Sequence, residues 1–181
     1  GSLLSVIDKT VTSMGGRRLR RWLILPLLDE DKINRRLQAV AEIKEQTTVI
    51  KSIQEKLKQI ADLERLIGRL GCGRGSARDL VSLKKSLQIV PELKLLLQDK
   101  KAELLQKYHK NLDPLKEVVE FIDKIIIEEP PALITEGGMI KDGYSPDLDE
   151  LRKISRGGKD WLLEFQAKQV ERTKISSLKV K

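Results

Sequence analysis

Apolar residues recur along most of the chain at spacings of three and four positions, which is the period of an amphipathic α-helix. Three such stripes occupy the first part of the sequence: Ile33, Leu37, Val40 and Ile43; Ile50, Ile53, Leu57 and Ile60; and Leu63, Leu66, Ile67 and Leu70. Asp29 and Asp62 precede the first and third stripes, where a carboxylate can accept hydrogen bonds from the free amides of a helix start. The pattern predicts three helices, the last ending in the Gly-rich turn GCGRGS.

Two further helices are predicted before residue 130. Ser76 and Asp79 have the spacing of a capping box, and the stripe after them is Leu80, Leu83, Leu87 and Val90. Pro91 should interrupt that helix because it lacks a backbone donor. Asp113 and Pro114 are expected to open the next helix, whose apolar side is Leu115, Val118, Val119, Ile122 and Ile126 and which Pro130 and Pro131 end.

The last predicted helix is the longest. Ser145 is a good N-cap, Pro146 suits the first helical position, and acidic residues follow in the first turn. Its apolar stripe, interpreted as a set of anchors to a core, is Leu148, Leu151, Ile154, Trp161, Leu162 and Phe165. After Phe165 the stripe continues only with polar residues, so a helix reaching about Lys174 should have a last third that leaves the core. We therefore divide the chain into a helical core, residues 1–165, and the base of an arm, residues 166–181.

Strand patterns are short in this sequence. Extended pieces are plausible at Leu3–Ile7, Leu133–Thr135, Met139–Ile140 and Leu178–Val180. Short helices gain most of their stability by packing their apolar faces together. The predicted fold class is all-α, with a few very short β pieces, as a multi-helix bundle with a long protruding helix.

Composition narrows the function classes. The 181 residues are 40% hydrophobic but only 3% aromatic, which disfavours a protein that stacks exposed bases on rings. The single cysteine, Cys72, is expected in a Gly-rich turn and the single histidine, His109, in a loop; together they cannot form a zinc ligand set. We also expect no membrane span and no signal peptide, and hence a cytoplasmic location.

The formal net charge of +8 favours a polyanionic partner. One basic cluster, Arg17, Arg18, Arg20 and Arg21, surrounds Leu19, Trp22 and Leu23. The simpler interpretation of this cluster is that the arginine stems cover a packed helix and pair with carboxylates. A second set, interpreted either as a solvated arm or as contacts to DNA phosphates, is Lys168, Arg172, Lys174, Lys179 and Lys181.

Adjacent carboxylates offer the main candidates for acid/base chemistry. These pairs are Glu128 with Glu129, and Asp147 with Asp149. The first pair is expected at a helix end and the second in a first turn, where solubility and capping explain them. We therefore predict no catalytic residue, no metal ligand and no enzyme activity for this chain by itself.

Several stretches resemble the MutS family of DNA mismatch repair proteins, specifically their central core or lever domain. They are LLSVIDKTVTSMGGRRLRRWLILPL, ADLERLIGRL, ARDLVSLKKSLQIVPEL, EEPPALITEGGMIKDGYSPDLDELRKISRGG and ERTKISSLKVK. Together they cover nearly the full chain in the order of the family. The resemblance weakens between Gln98 and Leu112, which looks like a loop of variable length.

The resemblance implies a fragment of a larger, dimeric protein. That protein would also have a connector, a clamp that grips duplex DNA and an ATPase domain that uses ATP and Mg, whereas this sequence has no G-x-x-x-x-G-K-[ST] phosphate loop. The implied role is a structural and allosteric connector between clamp and ATPase, without chemistry or cofactors of its own. The alternative left open is an autonomous helical domain that binds DNA nonspecifically.

Overall fold

The structure, a computed structural model, describes residues 1–175 apart from the side chain of Lys159. Its α-helices are α1 (Leu3–Ile7), α2 (Ser13–Ile24), α3 (Glu30–Lys44), α4 (Thr47–Lys58), α5 (Leu63–Gly71), α6 (Ala77–Gln88), α7 (Val90–Leu96), α8 (Glu103–Asn111), α9 (Lys116–Ile125) and α10 (Pro146–Thr173). A short 3-10 turn spans Ile134–Glu136. The described residues form no strand, and the predicted all-α bundle is confirmed.

The described chain divides into two compact units, the first spanning Gly1–Met139 and the second beginning at Ile140. In the first unit α6 packs on α5, α7 and α9, while α3 packs on α4 and α8, and α7 packs on α4 and α8. The buried apolar core of this unit is Ala39, Leu66, Ala77, Val81, Leu87, Val90, Leu93, Leu105, Ile122 and Ile126. The second unit contains α10. The predicted division at residue 165 stays a prediction.

Most predicted helix starts are confirmed because their caps are local. Asp29 accepts from the backbone N–H of Lys32, and Asp62 accepts from that of Arg65. Ser76 and Asp79 form the reciprocal capping box of α6. The helix broken at Pro91 also appears as expected, since α6 ends at Gln88 and α7 begins at Val90.

The Gly-rich turn after α5 is confirmed too. Cys72 is the exposed C-cap of that helix, and Gly73 follows with a φ of +68°. A left-handed backbone favours glycine because glycine has no Cβ to clash.

Two predicted extended pieces are wrong. Leu3–Ile7 is helical, because the hydroxyl of Ser2 caps it by accepting from the backbone N–H of Ser5. Leu133–Thr135 overlaps the 3-10 turn, in which the carboxylate of Glu136 accepts from the backbone N–H of Leu133. The predicted piece Leu178–Val180 lies outside the described residues.

The loop expected between Gln98 and Leu112 is also wrong, because α8 occupies Glu103–Asn111. Leu105 is buried in the core. His109, which we expected in a loop, lies in the last turn of this helix with its Nδ1 2.9 Å from the carbonyl oxygen of Lys94.

Helix α9 starts and ends differently from the prediction. It begins at Lys116, two residues after Pro114, because Leu115 is its N-cap in a left-handed conformation with a φ of 47°. The carboxylate of Asp113 accepts from the N–H of Leu115 at 2.9 Å and so supports this turn. The helix ends at Ile125, before the two prolines.

Candidate functional site

An ionic junction ties the arginine-rich helix α2 to the start of α5. The guanidinium of Arg17 donates to both carboxylate oxygens of Asp62 at 2.7 Å, and its Nε donates to Glu64 at 3.0 Å. Asp62 is also the N-cap of α5. Hydrogen bonds from Arg17 lower the pKa of Asp62 to about 2. The pairing expected for the arginine cluster is therefore present at Arg17.

Two more cross-links join neighbouring helices of the first unit. Arg69 of α5 donates to Asp79 of α6 at 2.5 Å, and this hydrogen bond, together with the N–H of Ser76, lowers the pKa of the Asp79 carboxyl. Lys84 of α6 is buried and donates to Asp123 of α9 at 2.8 Å. A buried ammonium needs such a partner because an unpaired charge away from water is costly.

A basic cavity of about 290 Å³ lies between α2, α3 and α8. Its walls are Arg18, Trp22, Leu27, Lys32, Arg35, Arg36, Glu103, Leu104, Lys107 and Tyr108. The guanidinium carbon of Arg36 lies 3.9 Å from the centre of the Trp22 ring, and that of Arg18 lies 5.7 Å away. Cation–π contacts of this kind hold cations over the indole. We call this feature the Trp22 cavity.

Helix α10 carries most of the residues predicted to be functional. Its 28 residues run unbroken through Gly157 and Gly158, and its N-cap is Ser145 with Pro146 in the first turn. Its C-cap, Lys174, is left-handed with a φ of 57°. The helix predicted from Pro146 to about Lys174 is thus confirmed.

The predicted anchors of α10 are mostly exposed. Leu148 is half-buried, while the exposed members are Leu151, Ile154, Trp161, Leu162 and Phe165. The rings of Trp161 and Phe165 stack on each other with centroids 5.3 Å apart. The described residues do not bury this stripe, so its role as an anchor to a core stays a prediction.

The predicted phosphate contacts lie near the end of the same helix. Lys168, Arg172 and Lys174 are exposed. Because Lys168 and Arg172 are four positions apart, they share one side of α10. Lys179 and Lys181 lie outside the described residues. A role for these five cations in DNA binding stays a prediction.

The adjacent carboxylates are exposed, apart from Asp149, which makes local hydrogen bonds. Glu128 and Glu129 are exposed. Asp149 accepts from the N–H of Gly143 at 2.8 Å and from Arg152 at 3.3 Å. Within the described part of the chain, His, Cys, Asp and Glu side chains do not gather into a group of three that could hold a metal ion. None of the helices described there is long and apolar enough to cross a bilayer.

Sequence reasoning missed the Trp22 cavity and the buried Lys84. Arg18 and Trp22 are four residues apart, a spacing that signals a shared helix face. Their meeting with Arg36 and Tyr108 depends on how α2, α3 and α8 pack. Lys84 lies on the apolar side of its helix, one residue after Leu83, but the sequence does not reveal Asp123 as its partner.

The fold and these surfaces define an all-α bundle whose helices are joined by ion pairs and which bears exposed basic and apolar side chains. The chain belongs to the MutS domain III family, whose family model matches residues 1–179.

Curated relatives agree with this assignment. The DNA mismatch repair protein MutS of Halothermothrix orenii is 47% identical over 180 residues, which is 99% of this chain and 20% of that protein. That of Symbiobacterium thermophilum is 45% identical over 180 residues, 99% of this chain and 21% of that protein. That of Methanosarcina acetivorans is 47% identical over 183 residues, which is 99% of this chain and 20% of that protein. The chain therefore spans about one fifth of the length of these relatives.

Proposed function

We propose that this chain is the core and lever module of a MutS-type DNA mismatch repair protein. It connects a DNA-gripping clamp to an ATPase domain and transmits the state of one to the other. The partners of the module are the connector, clamp and ATPase domains of a dimeric protein that binds duplex DNA. ATP and Mg act in the ATPase domain, and the module itself performs no chemistry.

The unbroken length of α10 is the observation that carries this proposal. From Pro146 to Thr173 the helix has 28 residues, which corresponds to about 42 Å at a rise of 1.5 Å per residue. Coupling between distant sites needs a stiff element whose position both sites can bias. A continuous helix of this length has the required stiffness and reach.

The side chains on α10 support a role in contacting other domains. Trp161 and Leu163 are 61% and 66% exposed. Large exposed apolar side chains on one element are typical of a surface that another protein element covers. The basic residues Lys168 and Arg172 follow toward the end of the helix, where they are available for DNA phosphates.

Breaking α10 in the full-length protein tests the proposal. Gly158→Pro removes a backbone donor and interrupts the helix, whereas Gly158→Ala, the matched control, keeps it intact because a Cβ there meets no atom within 4 Å. We expect Gly158→Pro to abolish the change in ATP turnover caused by duplex DNA while turnover without DNA is retained. Gly158→Ala should keep the full DNA response. A normal DNA response in Gly158→Pro would contradict the lever role.

The second candidate is nonspecific DNA binding by this domain alone, favoured by the exposed basic residues of α10 and the net charge of +8. Binding to phosphates releases counterions, so affinity should fall steeply with salt. Titration of labelled duplex at low and moderate salt measures this. Absence of binding at low salt would leave only the connector role.

A further inference from the structure

The Trp22 cavity has positive charge that its own walls do not neutralise. Lys32 pairs with Asp29 at 2.7 Å, and Arg35 pairs with Glu103 at 3.2 Å. The other three cations on the wall, Arg18, Arg36 and Lys107, pair with no carboxylate among residues 1–175. They come from α2, α3 and α8 and face one cavity.

This arrangement suits a ligand with several negative charges. Arg18 and Arg36 both lie against the ring of Trp22, which restrains their guanidinium groups. A restrained guanidinium loses little freedom when it pairs with a carboxylate or a phosphate. The cavity alone does not distinguish these two kinds of anion.

An exposed apolar segment adjoins the cavity residues Trp22 and Leu27 in the chain, and we call it the apolar rim. It consists of Leu23, Ile24, Leu25 and Leu28. Leu28 is 95% exposed. Interfaces with nucleic acids are more polar than those with proteins, whereas protein interfaces combine apolar contacts with Trp, Tyr and Arg. The rim therefore favours a protein ligand with both apolar and acidic side chains.

We infer that the Trp22 cavity and its apolar rim are the docking site for an acidic, amphipathic helix from another domain of the same polypeptide. The helix places carboxylates three or four residues apart against Arg18, Arg36 and Lys107, and lays its apolar side on the rim, as in other helix-in-groove complexes. This source rests on the proposed function and on the length of the relatives, about four fifths of which lies outside the matched region.

A photo-crosslinking experiment on the full-length protein tests this inference. A photoreactive p-benzoylphenylalanine replaces Leu28, and the cross-linked peptides are identified by mass spectrometry after irradiation. We expect a cross-link to a segment of the same polypeptide outside residues 1–181, with Asp or Glu residues three or four apart beside apolar ones. Mixing isotope-labelled and unlabelled protein separates a link within one copy from a link between copies.

Charge reversal supplies the second readout. Lys107→Glu and Arg18→Glu should each lower the cross-link yield by about fivefold or more, since they set like charges against the acidic helix. Arg20→Glu is the matched control, because Arg20 is exposed on α2 but does not line the cavity, and its yield should be unchanged. Thermal melting checks that each variant is folded; if Arg18→Glu unfolds, Lys107→Glu alone decides.

The inference is overturned by a cross-link to DNA, to a separate protein, to a second copy or to residues 1–181, by the absence of any cross-link, or by equal yields in all charge variants. The lever role and the docking site are tested separately when the change in ATP turnover caused by duplex DNA is also measured for full-length Gly158→Pro. A lost response without the expected cross-link would overturn the docking site alone. The expected cross-link with a normal response would overturn the lever role alone.

Discussion

The carboxylate of Glu42 caps the start of a helix from a distant part of the chain: its Oε2 accepts from the backbone N–H of Ala102, 60 residues later, at 2.7 Å. Its Oε1 accepts from the N–H of Lys101 at 2.8 Å. Helix α8 has no side-chain cap of its own, so α3 supplies one. These hydrogen bonds lower the pKa of the Glu42 carboxyl.

Glu42→Ala should loosen α8 selectively, because it leaves the N–H groups of Lys101 and Ala102 without their acceptor. We expect faster hydrogen exchange of these amides and a lower melting temperature. Glu45→Ala is the matched control, since Glu45 is exposed at the end of the same helix. Equal protection of the α8 amides in both variants would refute the cap.

The Arg17–Asp62 junction predicts a specific acid sensitivity. The folded pKa of Asp62, about 2, lies below the ordinary value of 3.8. Its ionised form therefore stabilises the fold above about pH 4, and this stability is lost as the pH falls toward 2. Asp62→Asn should be less stable than the parent at pH 6 and should lose less stability between pH 4 and 2.

Denaturant unfolding across this pH range measures the effect, with Asp99→Asn, which changes an exposed carboxylate, as the control. Parallel stability curves for the parent chain and Asp62→Asn would show that Arg17 and Asp62 do not interact in the folded protein.

The capping box of α6 should contribute measurably to stability. Ser76→Ala removes the hydroxyl that accepts from the N–H of Asp79, which should lower the free energy of unfolding by about 1 kcal/mol. Ser155→Ala in the middle of α10 is the control, and it should be neutral or slightly stabilising because alanine is the better helix former. Urea titration measures the free energy of unfolding of both variants. Similar free energies for Ser76→Ala and Ser155→Ala would argue against the cap.

The anchor prediction for α10 can be tested by comparing two leucines. Leu87 is buried at 6% exposure and Leu162 is 43% exposed. Leu87→Ala should cost about 2 to 5 kcal/mol of unfolding free energy, whereas Leu162→Ala in this chain should cost less than about 1 kcal/mol, as surface changes do. In the full-length protein Leu162→Ala should cost more, if another domain covers α10. The same small cost there would contradict the anchor role.

The two glycines inside α10 offer a stabilising change. A Cβ at Gly157 or Gly158 meets no atom within 4 Å, and alanine is favoured over glycine in a helix interior by about 1 kcal/mol. The double variant Gly157→Ala/Gly158→Ala should therefore keep its helical circular dichroism signal to a higher temperature than the parent chain. Gly143→Ala is the contrasting variant, because a φ of +81° strains any side chain there and should destabilise the chain. A loss of helicity in the double variant would indicate that α10 is bent at the glycines.

Helices that carry their own start signals could be placed from the amino-acid sequence alone. Asp29, Asp62, Ser76 and Ser145 each cap a helix within three residues, so local hydrogen bonding and apolar spacing suffice to place those elements. The family could also be recognised from the sequence, because stretches typical of it occur along the chain in the order of the family.

Features that depend on residues far apart in the chain became visible only in the folded protein. Helix α8 was missed because its cap is Glu42, and the buried Lys84 is explained only by Asp123 on another helix. The Trp22 cavity exists because α2, α3 and α8 meet there. The spacing of apolar residues and the capping residues predict contacts within a few positions of the chain. Charge pairing and cavity formation depend on packing between helices, which no local pattern in a single sequence encodes.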